Sequence, residues 1–294
     1  MSDMEAFSAV VGSTGPVCVR GGGTRWRIGG DVGDEVRAVH APDGIDSHDP
    51  AEMTVAVWAG TTLATLAETL AEGGQEVALD GPPGSTVGGS LAVGWNGIRF
   101  RRTGSVRDAL LQAECVGADG QVFKAGGPTV KNVSGYELCR LLVGSLGTLA
   151  LTGRVILRTR PIPERSLWLR GSIAPSEVER SCYRPSSILW DGRHTYACLE
   201  GYGVDVDQEA SDLAECGMVE VEGPPDLPPD RQRWAGELPS GAVLDVPIGV
   251  VHCHGGGSVP AVDPAVKAIA DRLKANFDPQ GRLNPGRDPY MVPE

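Results

Sequence analysis

The sequence predicts a loop-rich α+β chain in two parts. Glycine accounts for 41 of 294 residues and aromatics for only 5 %, a balance that suits a loop-rich α/β chain better than a helical bundle. Strand-like runs such as Thr54-Val55-Ala56-Val57-Trp58 alternate with stretches of helical spacing such as Leu63, Leu66, Ala67 and Leu70. After Pro161 and Pro163 the texture changes, and a second unit of about a hundred residues follows. The length allows one large domain or two of ordinary size with a substantial core.

In chain order, Pro16-Val17-Cys18-Val19-Arg20 reads as a short strand that opens into Gly21-Gly22-Gly23-Thr24, with Gly29-Gly30 beyond. Consecutive glycines leave backbone N–H groups unblocked, a nest suited to a pyrophosphate. A plain surface turn has the same composition, and the G-x-G-x-x-G spacing of the Rossmann fingerprint is absent. Residues 31–52 read as loop with a little strand. Thr61 or Thr62 can cap the Leu63–Leu70 helix, and Gly73-Gly74 stop it.

Residues 79–107 read as a long loop, either plain surface or, as long loops in compact domains often are, functional. Ser85-Thr86-Val87-Gly88-Gly89-Ser90 combine hydroxyls with bare backbone, while Asn96-Gly97 and Gly104 mark turns. Arg99, Arg101 and Arg102 form a basic cluster, either a solvated turn or an attractor of a carboxylate substrate or acidic partner. Asp119-Gly120 between apolar runs predicts a hairpin. From Gly126 to Gly153 a glycine-proline turn, Lys131 to Tyr136, an apolar run and the bend Gly144-Ser145-Leu146-Gly147-Thr148 lead to a strand around Val155-Ile156-Leu157. Lys131 is an exposed turn lysine or an anion ligand; Tyr136 reads as core.

In the second part, Leu167-Trp168-Leu169 and Ile188-Leu189-Trp190 read as strands, with a helical hint at 177–181 and a proline-rich loop at 223–240. His252 and His254 alternate beside Gly255-Gly256-Gly257. Two ligands are too few for a metal site, and a strand end at a glycine turn accounts for them; no metal is expected. Asp263-Pro264 begin a helix with Val266, Ile269, Ala270, Leu273 and Phe277 on one face. Asp278-Pro279 to Arg287 then form two rigid turns.

A net charge of −12 argues against nucleic acid or an anionic membrane surface as partner. The N-terminus lacks a signal-peptide pattern and no run reaches transmembrane length. Seven scattered cysteines without a CxxC pair point to free thiols in a reducing cytosol.

Lys131-Asn132-Val133-Ser134-Gly135-Tyr136-Glu137-Leu138 through Gly144-Ser145-Leu146-Gly147-Thr148-Leu149, the Arg20-Gly21-Gly22-Gly23-Thr24 run, the Thr86-Val87-Gly88-Gly89 stretch and the closing Phe277-Asp278-Pro279…Asn284-Pro285-Gly286-Arg287 resemble the PCMH-type, or vanillyl-alcohol oxidase type, FAD-binding flavoproteins. The Leu146 variant looks most like the FAD-binding E subunit of bacterial glycolate oxidase. The resemblance covers roughly residues 15–163 and 263–287. It implies an FAD domain of two α/β subdomains over residues 1–163, an abbreviated cap over 164–260, and a C-terminal helix and turn over 261–294 that return to the FAD domain.

The resemblance also implies FAD as cofactor, held by Arg20, Gly21, Gly22, Gly23, Thr24, Thr86, Gly88, Gly89, Ser90, Asn96, Gly97, Gly104, Gly147, Thr148 and Val155. Asn284 and Arg287 are either turn-makers or cofactor neighbours. Some relatives carry a flavin-linking histidine at the place of Thr24, so the FAD here is expected to be non-covalent. The implied activity is oxidation of a small 2-hydroxy acid, glycolate or D-lactate, to the 2-oxo acid in a multi-subunit complex. A larger FAD subunit and an iron–sulfur subunit are the expected partners, in the cytoplasm or at the inner membrane through them. No catalytic base matches. A self-sufficient FAD-linked alcohol or sugar oxidase, and a non-catalytic scaffold that kept the fold, remain the alternatives.

Overall fold

The structure, a computed structural model, describes residues 2–127, 138–255 and 262–291. The segment Lys131–Glu137 and the glycines Gly256 and Gly257 lie outside the described residues. The chain divides into two compact units: Met1–Asn96, Ser105–Pro161 and Ala261–Val292 in the first, Gly97–Gly104, Ile162–Pro260 and Pro293–Glu294 in the second. The sequence reading keeps 97–104 with the first domain; the chain contacts group it with the second.

The first unit begins with α1 (Asp3–Val11), β1 (Val17–Val19), β2 (Arg37–Val39), β3 (Ile45–Asp49), β4 (Thr54–Trp58), α2 (Leu63–Glu72), β5 (Gln75–Val77) and α3 (Val87–Val93). The short α4 (Phe100–Thr103) belongs to the second unit. The first resumes with α5 (Val106–Ala109), β6 (Leu110–Val116), β7 (Val122–Gly126), α6 (Leu138–Leu142) and β8 (Leu151–Pro161). The second unit continues with β9 (Arg165–Gly171), α7 (Pro175–Ser181), β10 (Ser187–Trp190), β11 (Thr195–Gly201), α8 (Gly203–Glu215), β12 (Val219–Val221), β13 (Asp230–Arg233), β14 (Val243–Asp245) and β15 (Val250–Cys253). The helix α9 (Pro264–Phe277) returns to the first unit.

In the first unit β1 and β2 pair in parallel, and an antiparallel sheet runs β3-β4-β8-β6-β7, with β5 also paired to β8. Strand β8 is its spine. Leu151, Gly153, Val155, Leu157 and Thr159 alternate buried with half-buried neighbours, the period-two signature of a pleated strand. The sequence reading recovered only Val155 to Leu157, because the arginines at 154, 158 and 160 on the other face disguise the run. Leu66 and Leu70 of α2 and Val87 and Leu91 of α3 pack against Val55, Val57, Val155 and Leu157. Met4, Phe7 and Val11 of α1 pack with Val17, Val116 and Leu283. Thr62 caps α2 by accepting the Thr65 N–H, and Gly73 closes it.

Residues 79–107, expected as loop, contain three short helices. Thr86 caps α3 through the Gly89 N–H at 3.2 Å, and Gly94 ends it in the left-handed region. The low apolar content of Val87-Gly88-Gly89-Ser90 had hidden a helix that the cap and stop define. In α9 none of the expected apolar face is buried, and Val266 and Ile269 are about half exposed.

The second unit is a seven-stranded sheet in the order β12-β9-β11-β10-β14-β15-β13. One face packs on α7 and α8 through Leu167, Leu169, Ile188, Leu199, Val178 and Leu213. The cysteines are all free, and Cys216 is the exposed one. Among the described residues no helix is long and apolar enough to cross a membrane.

Candidate functional site: a glycine-lined cleft in the first unit

Three bends far apart in sequence meet at one cleft. Gly21, Gly22 and Gly23 follow β1; Ser85, Thr86, Gly88, Gly89 and Ser90 surround the start of α3; Ser145, Leu146 and Gly147 precede β8. The space between them is about 1080 Å³, open solvent at the mouth included.

The glycines are required by contact. A Cβ on Gly22 would overlap the Gly84 carbonyl oxygen, and one on Gly21 would overlap the Thr86 hydroxyl. Among the described residues the Gly21, Gly22 and Gly23 amides donate no hydrogen bond within the chain, as an anion nest requires. Thr24 Oγ1 and Ser85 Oγ lie 2.8 Å apart and tie the first bend to the second.

Asn284 ties the first bend to the third. Its Oδ1 accepts the Val19 N–H at 3.2 Å and its Nδ2 donates to the Leu146 carbonyl at 2.7 Å. Asn284 and Leu146 both have positive φ, 44° and 52°, a conformation uncommon for non-glycine residues and held here by their mutual bond. Gly147 shares it at 69°, and a Cβ there would overlap the Asn284 amide. The closing turn is itself held by Asp278, whose carboxylate accepts the Arg282 and Leu283 N–H groups and binds Lys274 Nζ at 2.6 Å. Burial acts to raise the Asp278 pKa, but the Lys274 ammonium and these N–H donors outweigh it and hold it below the usual carboxylate range.

Arg20, Arg25 and Arg287 line the cleft, and among the described residues no carboxylate side chain does. Trp26 lies between two of them, with Arg20 5.2 Å and Arg287 4.5 Å from its ring centre; Arg25 lies 5.0 Å from the ring of Trp95. Burial lowers the pKa of Arg25 and of Arg287, against the pull of Asp80 and Asp31 respectively. Positive charge and free amides around bare backbone fit a flat ligand with a pyrophosphate, FAD among them.

Arg20, Gly21, Gly22, Gly23, Thr24, Thr86, Gly88, Gly89, Ser90 and Gly147 all line this cleft. The other five expected residues do not. Asn96 Oδ1 accepts the Val106 N–H at 3.0 Å and closes a turn. Gly97 accepts the Phe100 N–H, and Gly104 caps α4, both in the second unit. Thr148 is turned back to the Ser145 carbonyl. Val155 is core, paired with Val57 and Ala113. Arg25, Trp26, Ile28, Ser85, Ser145 and Leu146 line the cleft unforeseen, although each adjoins a glycine bend that marks the place.

The basic cluster is absorbed by ion pairs within the second unit. Arg99 grips Glu200 with two contacts, at 2.7 and 2.9 Å, and Arg101 pairs with Glu179. His252 is buried in β15, whereas His254 is exposed past the strand end. No group of three metal-capable side chains occurs among the described residues.

Residues 3–126 match the family model described as an FAD binding domain. The glycolate oxidase subunit GlcE of Escherichia coli (strain K12) is 32 % identical over 178 residues, which is 60 % of this chain and 51 % of that protein. The D-lactate dehydrogenase of Archaeoglobus fulgidus is 38 % identical over 150 residues, 50 % of this chain and 33 % of that protein. The chain thus spans about half, or less, of the length of these relatives. A solved alkyldihydroxyacetonephosphate synthase superposes over 96 % of this chain and 73 % of its own, with a TM-score of 0.67 at 13 % identity, which shows a shared fold. The first two bends of the glycine-lined cleft thus lie within the segment that matches an FAD binding domain, and the chain is similar over its matched part to FAD-linked relatives, which supports FAD as the cofactor of this cleft.

Proposed function

We propose that this chain is the FAD-binding subunit of a glycolate oxidase-like complex, which oxidises glycolate or D-lactate to the 2-oxo acid and passes electrons to an iron–sulfur partner. Convergence of the three bends on one arginine-rimmed cleft that, among the described residues, lacks any carboxylate is the observation that carries the reading. The relatives named as a glycolate oxidase subunit and a D-lactate dehydrogenase supply the substrate class.

Bound FAD supplies the two-electron chemistry. The residues of the chain position it. Gly21 to Gly23 offer amides to the pyrophosphate, Arg20 and Arg287 neutralise it, and the Gly147 bend, locked by Asn284, lets backbone approach the ring system. Thr24 has no nucleophilic nitrogen and its hydroxyl is engaged with Ser85, so the cofactor is held without a covalent bond.

Purified protein should carry the visible absorption of oxidised flavin, released intact by acid precipitation. Anaerobic glycolate or D-lactate should bleach it when the partner subunits are present, and an affinity-tagged chain should co-purify an iron–sulfur protein. A colourless protein sinks the cofactor reading. Full turnover by the isolated chain, with no partner, favours the self-sufficient oxidase.

A further inference from the structure

The stretch after the first glycine bend folds back over it. The Trp26 N–H donates to the Gly23 carbonyl and the Ile28 N–H to the Arg25 carbonyl, both at 3.2 Å. Two successive tight turns thus bring the Trp26 side chain to the cleft wall. Ile28 packs with Val93, Trp95 and Leu146. Trp26 is half-buried and, among the described residues, belongs to no apolar cluster. Its ring meets charge instead. The Arg287 guanidinium lies 4.5 Å and the Arg20 guanidinium 5.2 Å from its centre.

The two arginines are held differently. Arg287 Nη1 donates to the carbonyls of Ile28 and Gly30, and Asp31 acts on its charge. Among the described residues the Arg20 guanidinium makes no hydrogen bond or ion pair, and the Trp26 ring is what it rests on. It runs along the first bend, where a Cβ on Gly23 would stand 3.8 Å from its Nε and its Nη2. Two guanidiniums gathered at one ring repel each other. Indole is the side chain that attracts a cation most strongly to its face, and it offsets that repulsion before any anion binds. An arginine recruited only on binding would lose affinity to the ordering of its rotamers, whereas one already placed does not.

We propose that Trp26 is a positioning residue of the cleft, and that its ring pre-orders Arg20 and Arg287 as a paired receptor for a diphosphate. The assignment of that diphosphate to FAD rests on the cofactor reading above; the pre-ordering rests on the stack alone. Each guanidinium offers a planar fork of N–H donors that matches phosphate oxygens. The amides of Gly21 to Gly23 complete the receptor from the backbone. A multiply charged anion then relieves the repulsion between the two cations. Trp26 acts through the arginines and not by stacking on a ring of the ligand.

The test is calorimetric titration of the full chain, stripped of flavin, with FAD and separately with inorganic pyrophosphate, which has no ring to stack. Trp26→Leu should weaken both by the same factor, about tenfold. Trp26→Phe keeps an aromatic face and should stay within about threefold of wild type for both. In the Arg20→Gln, Arg287→Gln background, Trp26→Leu should cost less than about twofold, because the cations it places are gone. A general loosening of the fold would add to the arginine losses and would not vanish with them. The proposal is overturned by wild-type affinity in Trp26→Leu, by a loss confined to FAD, or by a Trp26→Phe variant as weak as Trp26→Leu. It is equally overturned by an undiminished Trp26→Leu loss in the arginine-free background, or by a wild type that does not bind pyrophosphate. If pyrophosphate behaves as expected while FAD binds no more tightly than pyrophosphate, the cofactor reading falls and the role of Trp26 stands, so the two fail separately.

Discussion

Asn284 satisfies two buried backbone groups with one side chain while sitting at a φ that asparagine tolerates better than most residues. Asn284→Ala strands the Leu146 carbonyl and the Val19 N–H, and we expect about 2–4 kcal/mol of lost stability by urea unfolding, with FAD affinity at least about tenfold weaker by fluorescence titration. Gly22→Ala meets the Gly84 carbonyl oxygen directly. The apoprotein should still fold, with a loss of about 1–3 kcal/mol from overpacking, and should purify colourless. Two aspartates give pH dependences of opposite sign. Asp245, raised from 3.8 to about 7, contributes stability that is full below about pH 4 and gone above about pH 7, of order 4 kcal/mol at most. Asp245→Asn should therefore unfold at a higher temperature than wild type at pH 8 and show no such gain near pH 4. Asp278, held below 3.8, contributes stability present at neutral pH and lost as pH falls through its lowered value. The glycine at 22 was legible because consecutive glycines after a strand have few structural uses. Asp245 was not, because nothing in Val243-Leu244-Asp245 shows that the carboxylate points into a covered face.

The helices show how far pattern reading reaches. In α2 the cap, the stop and the apolar spacing all lie within twelve residues; the sequence leaves the cap between Thr61 and Thr62, the structure gives it to Thr62, and the expected stop at Gly73 and the buried Leu66 and Leu70 agree. In α9 the cap and spacing were equally clear, yet no residue of the apolar stripe is fully buried, and Val266 and Ile269 are exposed. Periodicity reports what a helix is able to bury, and only tertiary contact decides whether it does. Leu70→Ala should cost about 2–5 kcal/mol, whereas Ile269→Ala should stay within about 0.5 kcal/mol by thermal unfolding. The closing turn was expected as a turn-maker, and Arg282 shows how it works. Its guanidinium, in a residue 3 % exposed, donates to the carbonyls of Val11, Gly12, Thr14, Gly15 and Ala118. These acceptors lie on two separate segments, so the role of Arg282 was invisible in the run Asp278 to Arg287.

At the scale of the molecule, cofactor binding couples three stretches of the first unit that share no sequence neighbourhood. FAD at about a hundred times its dissociation constant should stabilise the protein by about 2.7 kcal/mol, read as a rise in melting temperature that Gly22→Ala abolishes. The chain on its own determined what depends on neighbours along the backbone. That includes the strand entering Gly21-Gly22-Gly23, the capped helix at Leu63, the hairpin at Asp119-Gly120 and the strongly acidic balance, because caps, turns and periodicity act over a few residues. Tertiary structure decided which bends meet. Asn96, Gly97, Gly104, Thr148 and Val155 share the composition of cleft residues but spend their groups on local turns, a helix end and the core. Asp245 and Arg231, both buried in the second unit, come together only through the pairing of β10, β13, β14 and β15. Strand register is a long-range choice, made by packing of the whole sheet, and no short segment encodes which carboxylate it will cover.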